Sequence, residues 1–373
     1  MPHIKFDRNS LVIKSLRDRK NQISIMDSLV PLNYRPDGLS SQDKLLIEKT
    51  AEKIITARKN QRSVVLTFGA HTIKNGLAEV LIALIKEGYV THLATNGAGI
   101  IHDWEFAFQG YSGEDVRSNV KEGQFGIWEE TGFFINLALV TGAFEGLGYG
   151  ESVGKMISRE GLFIPEPGLL ISEAKKNIES NPEYAAAAID LSGVIRNQKL
   201  KPGFLNIPHP FKKYSVQCAA FENNIPFTGH PMFGHDIIYN HPANYGAAIG
   251  RTAQNDFLCF TQSICSIDDG VYLSLGSAIM SPMIFEKALS MAQNIEIQRG
   301  KHIDNHFMLI VDLAEAVWDW SADGEPPPDN PSYYLRYCKT FNRMGGEMHY
   351  LRADNRDFLS ALYQNLSGIK PEK

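Results

Sequence analysis

The 373-residue chain is 43% hydrophobic, enough to bury a full core, and single cores stop growing at about 250–300 residues, so one decorated domain and two domains both fit. A net charge of −5, with no basic tract long enough to follow a phosphate backbone, argues against nucleic acid as a partner. The four cysteines form no CxxC pair, no apolar leader opens the chain, and no run of ~18 apolar residues occurs, so a reduced cytoplasmic protein without a membrane span is expected.

Residues 1–40 are polar, with a Pro36-Asp37-Gly38 turn, and read as an arm. Ser41 to Lys59 has helical spacing of Leu45, Leu46, Ile54 and Ile55. Ser63 to Phe68 is a short apolar run closed by Gly69, as a buried parallel strand reads. The spacing of Leu77, Val80, Leu81 and Leu84 predicts a helix over 73–87, followed by a strand from Tyr89 to Thr95 and the small-residue turn Asn96-Gly97-Ala98-Gly99. This is a βαβ unit. Residues 104–200 break the rhythm with aromatics, a glycine cluster (Gly146, Gly148, Gly150) and an alanine-rich helix at Tyr184 to Ile189, and read as an insertion.

The rhythm then resumes. A helix is expected from Ser215 to Asn223, and strands at Ile225–Thr228, Val271–Leu275, Phe307–Val311 and Met348–Leu351. Helices are expected at Pro282–Gln293 and from about Arg356 to Leu366, with an acidic, Pro-rich loop from Ser321 to Pro331. The expected whole is an α/β fold with a doubly wound, mostly parallel sheet of about six strands. Residues 41–373 form its single domain.

Ligands of open parallel sheets sit beyond the carboxyl ends of the strands. Four loops qualify: Gly69-Ala70-His71-Thr72, Thr95 to Asp103, Gly276-Ser277-Ala278, and Arg352-Ala353-Asp354-Asn355. Small residues let a ligand approach the backbone, and helix N-termini favour phosphate, so a nucleotide is the expected ligand. The plainer alternative is that glycines end strands in any α/β protein. No GxGxxG or Walker pattern is present.

A second constellation holds His209, His230, His235, Asp236 and His241; its spacing fits no zinc pattern, and hydrogen-bonded structural histidines are the favoured reading, with no metal expected. Lys339 beside Tyr337 is either a desolvated nucleophile or an ordinary surface lysine. Asp319, Asp323, Glu325 and Asp329, near Trp318 and Trp320, suit either a bound amine or a solvated loop.

Gly76-Leu-Ala-Glu79, Tyr89 to Thr95 with the turn to Asp103, Ser215 to Asp236, Val271 to Ala278, and Arg352-Ala-Asp354 stand in an order that resembles the deoxyhypusine synthase family. The resemblance implies an NAD-binding α/β domain in a homo-oligomer, dimer or tetramer. It also implies transfer of an aminoalkyl group from a polyamine, through an imine on Lys339, to a small amine or a protein lysine acceptor. Gly69, Thr95, Asn96, Gly97, Gly99, Asp103, Gly276, Ser277 and Asp354 would then hold NAD, and His235, Asp236, Asp323 and Tyr337 the substrate. The family's glycine triplet reads Leu275-Gly276-Ser277 here, and the Lys-His-His that follows it reads Met280-Ser281-Pro282. The alternatives are a nucleotide-binding homologue without transferase activity and a metal-dependent hydrolase using His230, His235 and Asp236.

Overall fold

A computed structural model of the chain describes residues 3–322 and 324–371. It falls into two units. A sheet unit gathers Ser28–Gly99, Ala219–His230 and Phe257–Lys373, and a helical unit gathers Met1–Asp27, Ile100–Cys218 and Pro231–Asp256.

The sheet unit is built on short, continuously apolar segments, the pattern of strands buried on both faces. These are β1 (Val64–Phe68), β2 (His92–Asn96), β3 (Phe227–His230), β4 (Val271–Leu275), β5 (Phe307–Asp312) and β6 (Glu347–Arg352). They lie in the order β6-β5-β4-β1-β2-β3, and every neighbouring pair is parallel. Alternation along the strands gives the sheet two apolar faces. On one, Val65, Tyr272, Met308, Ile310 and Met348 pack with Phe260, Phe285 and Phe341 in a single buried cluster. The other receives the Ser41–Lys59 helix, which packs on β1 and β4 and on the Asn355–Ser367 helix. Each large apolar side chain buried this way contributes about 1.5–3 kcal/mol.

Two expected elements differ in detail. The helix over 73–87 is two helices, Ala70–Lys74 and Ala78–Lys86. Gly76 separates them in the left-handed region at φ 79°, where a Cβ would run into the Ser28 carbonyl. The small-residue turn after β2 is the first turn of a helix, Gly97–Gln109, because Asn96 Oδ1 accepts the Gly99 N–H at 3.0 Å and caps it.

The helical unit takes in the N-terminal residues. Arg19 and Glu105, both buried, form a two-pronged ion pair with both N–O distances at 2.8 Å, and Ser112 and Thr131 donate to the same carboxylate. The apolar helices Glu129–Glu145 and Tyr149–Arg159 meet at 109°. Pro167–Asn177 and Pro182–Asn197 pack as a pair, each started by proline in its first turn. Gly161–Ile164 pairs antiparallel with Gly203–Asn206. Among the described residues no single helix is long and apolar enough to cross a membrane.

Candidate functional site

Read from β3, the strand order is third, second, first, fourth, fifth, sixth, the order of Rossmann-type sheets, and it reverses between β1 and β4. The carboxyl ends of those two strands flank the crevice where such sheets bind ligands. The loops there are in close contact. The Gly69 N–H donates to the Leu275 carbonyl at 3.0 Å, and a Cβ on Gly69 would collide with the Gly276 carbonyl oxygen. Gly276 itself is exposed and left-handed, at φ 52°. The end of β6 reaches the same place: Asn355 Nδ2 donates to Thr72 Oγ1 at 2.9 Å and lies 3.4 Å from where a Cβ on Gly276 would be. Thr72 and Asn355 stood inside two of the candidate loops, but nothing in their residue types marked them as the link between these loops.

The end of β2 joins the edge through Thr95, whose hydroxyl donates to the Phe68 carbonyl of β1 at 2.8 Å. Gly99 sits against that threonine so closely that any side chain would strike it. Gly69, Thr95, Asn96, Gly97, Gly99 and Gly276 therefore lie at one sheet edge, as expected from sequence.

Other expected site residues have structural partners. Ser277 Oγ accepts the Ser281 N–H at 3.2 Å. Asp354 caps the Asn355–Ser367 helix and pairs with Arg356 at 3.0 Å. Burial works to raise its carboxyl pKa, but the Arg356 hydrogen bonds outweigh it and hold the group below the usual range. Asp103 belongs to the helical unit and is buried inside a helix rather than in a loop. Its carboxylate accepts from Ser215 Oγ, Val216 N, Gln217 N and Gln217 Nε2 at 2.6–3.2 Å, which fixes the start of the Val216–Glu222 helix.

The Lys339 ammonium stands 3.4 Å from the Tyr333 ring centroid, a cation–π contact. Tyr337 packs against the sheet cluster, and burial beside Tyr350 pushes its hydroxyl pKa far up. In the acidic loop, Asp319 is satisfied by Ser321 and Ala322 in its own turn, and Glu325 pairs with Arg343. Asp323 lies outside the described residues.

The histidines divide the same way. His230 lies within β3, its Nε2 2.9 Å from the Thr228 hydroxyl, which also meets His92. His235 is exposed in the helical unit. Asp236 is half-buried there, and desolvation raises its carboxyl pKa to about 6. Its charge acts on the Tyr149 and Tyr239 hydroxyls, and Tyr149 also feels Asp256; none of these three was singled out from sequence. The helical unit also has a cleft of about 900 Å³ lined by Phe144, Asn181, Tyr184, Arg251 and Gln254.

No protein-family model and no curated protein sequence matches the chain. Solved structures do. One is the ternary complex of AgrE with ornithine and NAD+, at 19% identity over 88% of this chain and 34% of that one, with a TM-score of 0.45. Another is ArgZ, an arginine dihydrolase from the ornithine–ammonia cycle in cyanobacteria, at 17% identity over 88% and 33%, TM-score 0.40. A third is a conserved LOR/SDH protein from Methanococcus maripaludis S2, at 14% identity over 92% and 73%, TM-score 0.43. The chain spans about a third of the length of AgrE and ArgZ.

None of these is a deoxyhypusine synthase, and they correct that resemblance together with the transferase, polyamine and lysine-imine chemistry it implied. The physical reason is that small residues at strand ends, in this order, belong to any doubly wound sheet, while Lys339 is engaged by Tyr333. The hydrolase alternative falls with them. His230 is committed to the sheet, and among the described residues no three His, Cys, Asp or Glu side chains are grouped to hold a metal.

Proposed function

We propose that the sheet unit holds NAD at the crevice between the ends of β1 and β4, and that the chain is an NAD-dependent oxidoreductase of a small molecule. The observation that supports this most is the reversal of strand order at two loops that only glycine lets approach so closely. The residues fit such a ligand. Gly69, whose N–H and C=O are taken up by Leu275 and Thr72, keeps the two loops close, Ala70 offers backbone to a pyrophosphate, Gly276 and Ala278 form the facing wall, and Asn96 and Gly97 stand where the second strand of such sheets meets a ribose. The usual carboxylate at that strand end is replaced by the Asn96 amide. Its Oδ1 caps the next helix, which leaves the amide N–H2 as the polar contact. Bound there, NAD would supply the hydride acceptor that side chains lack.

Calorimetry with NAD tests this reading. His71 and Ala278 are exposed on the two walls. A carboxylate introduced by His71→Glu or Ala278→Glu should weaken NAD about tenfold or more through repulsion of the pyrophosphate, without moving the melting midpoint. NADH formation across a panel of small substrates then reports the chemistry. If the parent protein shows no saturable NAD binding, or both variants bind as it does, the reading fails.

A further inference from the structure

The helical unit contains polar groups without the partners that burial demands. Tyr149 is fully buried, and among the described residues its hydroxyl meets neither donor nor acceptor; the Tyr239 hydroxyl is buried in the same condition. Buried polar groups are almost always hydrogen-bonded, and each exception calls for a missing partner. Asp236 is their half-buried neighbour, close enough for its charge to act on both hydroxyls. Among the described residues no cation pairs with it, and its half-buried position leaves it reachable from solvent. The Tyr149 hydroxyl senses the Asp236 and Asp256 carboxylates and the Tyr239 hydroxyl, and the Tyr239 hydroxyl senses Asp236.

The surroundings are firmly built. Asp256 Oδ2 accepts the Gly150 N–H at 2.9 Å, which holds a carboxylate beside Tyr149 at the start of its helix. Asp236 begins the Ile237–Asn240 turn that carries Tyr239, and the Tyr239 N–H donates to the Asp236 carbonyl at 3.3 Å. Asn136 Nδ2 donates to the Ile238 carbonyl and Arg8 Nη1 to the Tyr239 carbonyl, both at 2.9 Å, so the turn is pinned from two sides. The Phe233 ring lies 5.4 Å from that of Tyr239 and adds an apolar wall.

The site has negative charge and lone pairs, and Arg8, the cation beside it, is spent on the Tyr239 carbonyl and on Asn244 rather than on the Asp236 carboxylate. Water would satisfy the hydroxyls but leave the carboxylate without a counter-charge, whereas an ammonium supplies three N–H donors and the charge together. We propose that Tyr149, Asp236 and Tyr239 form a binding site for a protonated primary amine on a small molecule. This deepens the NAD reading by naming a substrate class; it rests on that reading for the amine's role, and its binding is independent of it.

The test titrates n-butylammonium chloride into the full chain by calorimetry, with and without NAD, using 1-pentanol as an uncharged analogue of similar shape. Saturable binding of the ammonium and none of the alcohol is expected. Asp236→Asn should weaken it about tenfold or more. Tyr149→Phe should also weaken it, yet leave the melting midpoint of the unliganded protein unchanged or higher, since no hydrogen bond is lost. The proposal is overturned if ammonium and alcohol bind alike, if Asp236→Asn binds the amine as the parent does, or if Tyr149→Phe lowers the midpoint, which would assign the hydroxyls to ordered water. Amine binding without NAD binding would strike only the cofactor reading, and NAD binding without amine binding only this one.

Discussion

Gly69 and Gly276 face each other across the same crevice, yet glycine is required at each for a different reason. Gly69 has an ordinary φ of −81°, and what forbids a side chain is the Gly276 carbonyl oxygen where the Cβ would go. Gly276 has room around it but a φ of 52°. Gly69→Ala must push two backbone segments apart and should cost about 1–3 kcal/mol, while Gly276→Ala pays only a left-handed conformation, about 1–2 kcal/mol. Denaturant midpoints will measure both. NAD affinity is a second readout: Gly69→Ala should weaken it by deforming the crevice, and Gly276→Ala by setting a methyl on the wall that the cofactor faces. At this scale the sequence indicated the glycines, because a glycine closing an apolar run is a local signal. It put Thr72 and Asn355 in candidate loops without showing that they join them, and it did not indicate Tyr149 or Tyr239, whose importance comes from what long-range folding sets beside them.

Strands were the most readable elements, since a run such as Val64-Val-Leu-Thr-Phe68 has one natural environment, a sheet covered on both faces. Helix breaks were less so. The apolar spacing of Leu77 to Leu84 extends back toward Ile73 and hides the interruption at Gly76. Two strands also carry a polar chain that no pattern announces: from Ser263 of the Gly246–Ile264 helix, contacts of 2.8–2.9 Å run through His92 and Thr228 to His230. Burial lowers the pKa of both histidines to about 3, and for His92 the neighbouring His230 adds to it. The unfolded chain takes up these protons near pH 6.5, about the free value, whereas the fold refuses them. Their depressed values therefore contribute stability that is complete above about pH 6.5 and is lost as pH falls toward 3. The melting midpoint should decline over that window, and His92→Gln should flatten the decline. A variant with the parent's slope would show that other groups govern acid stability.

For the whole molecule, the shared edge of strand ends was legible and the chemistry was not. Fold class follows from the period and spacing of apolar runs, which are summed over many residues. Substrate and reaction depend on a few side chains from distant segments, and an ordered set of common loop types does not identify them. The lysine expected at the cavity shows this, for Tyr333 lies on the same chain segment and captures it.

The pairing of β1 with β4 also bears on how the protein is made. Val64 sits opposite Val271, so the middle of the sheet stays open on one side until most of the polypeptide has been synthesised. Loop-closure entropy must be met before that contact returns anything, which slows assembly of such topologies. Until then the nascent β1 presents an unpaired apolar edge, the kind of surface that aggregates or recruits chaperones. A fragment ending at Gly270 should accordingly be protease-sensitive and self-associating, and extending it through β4 and β5 should restore protection.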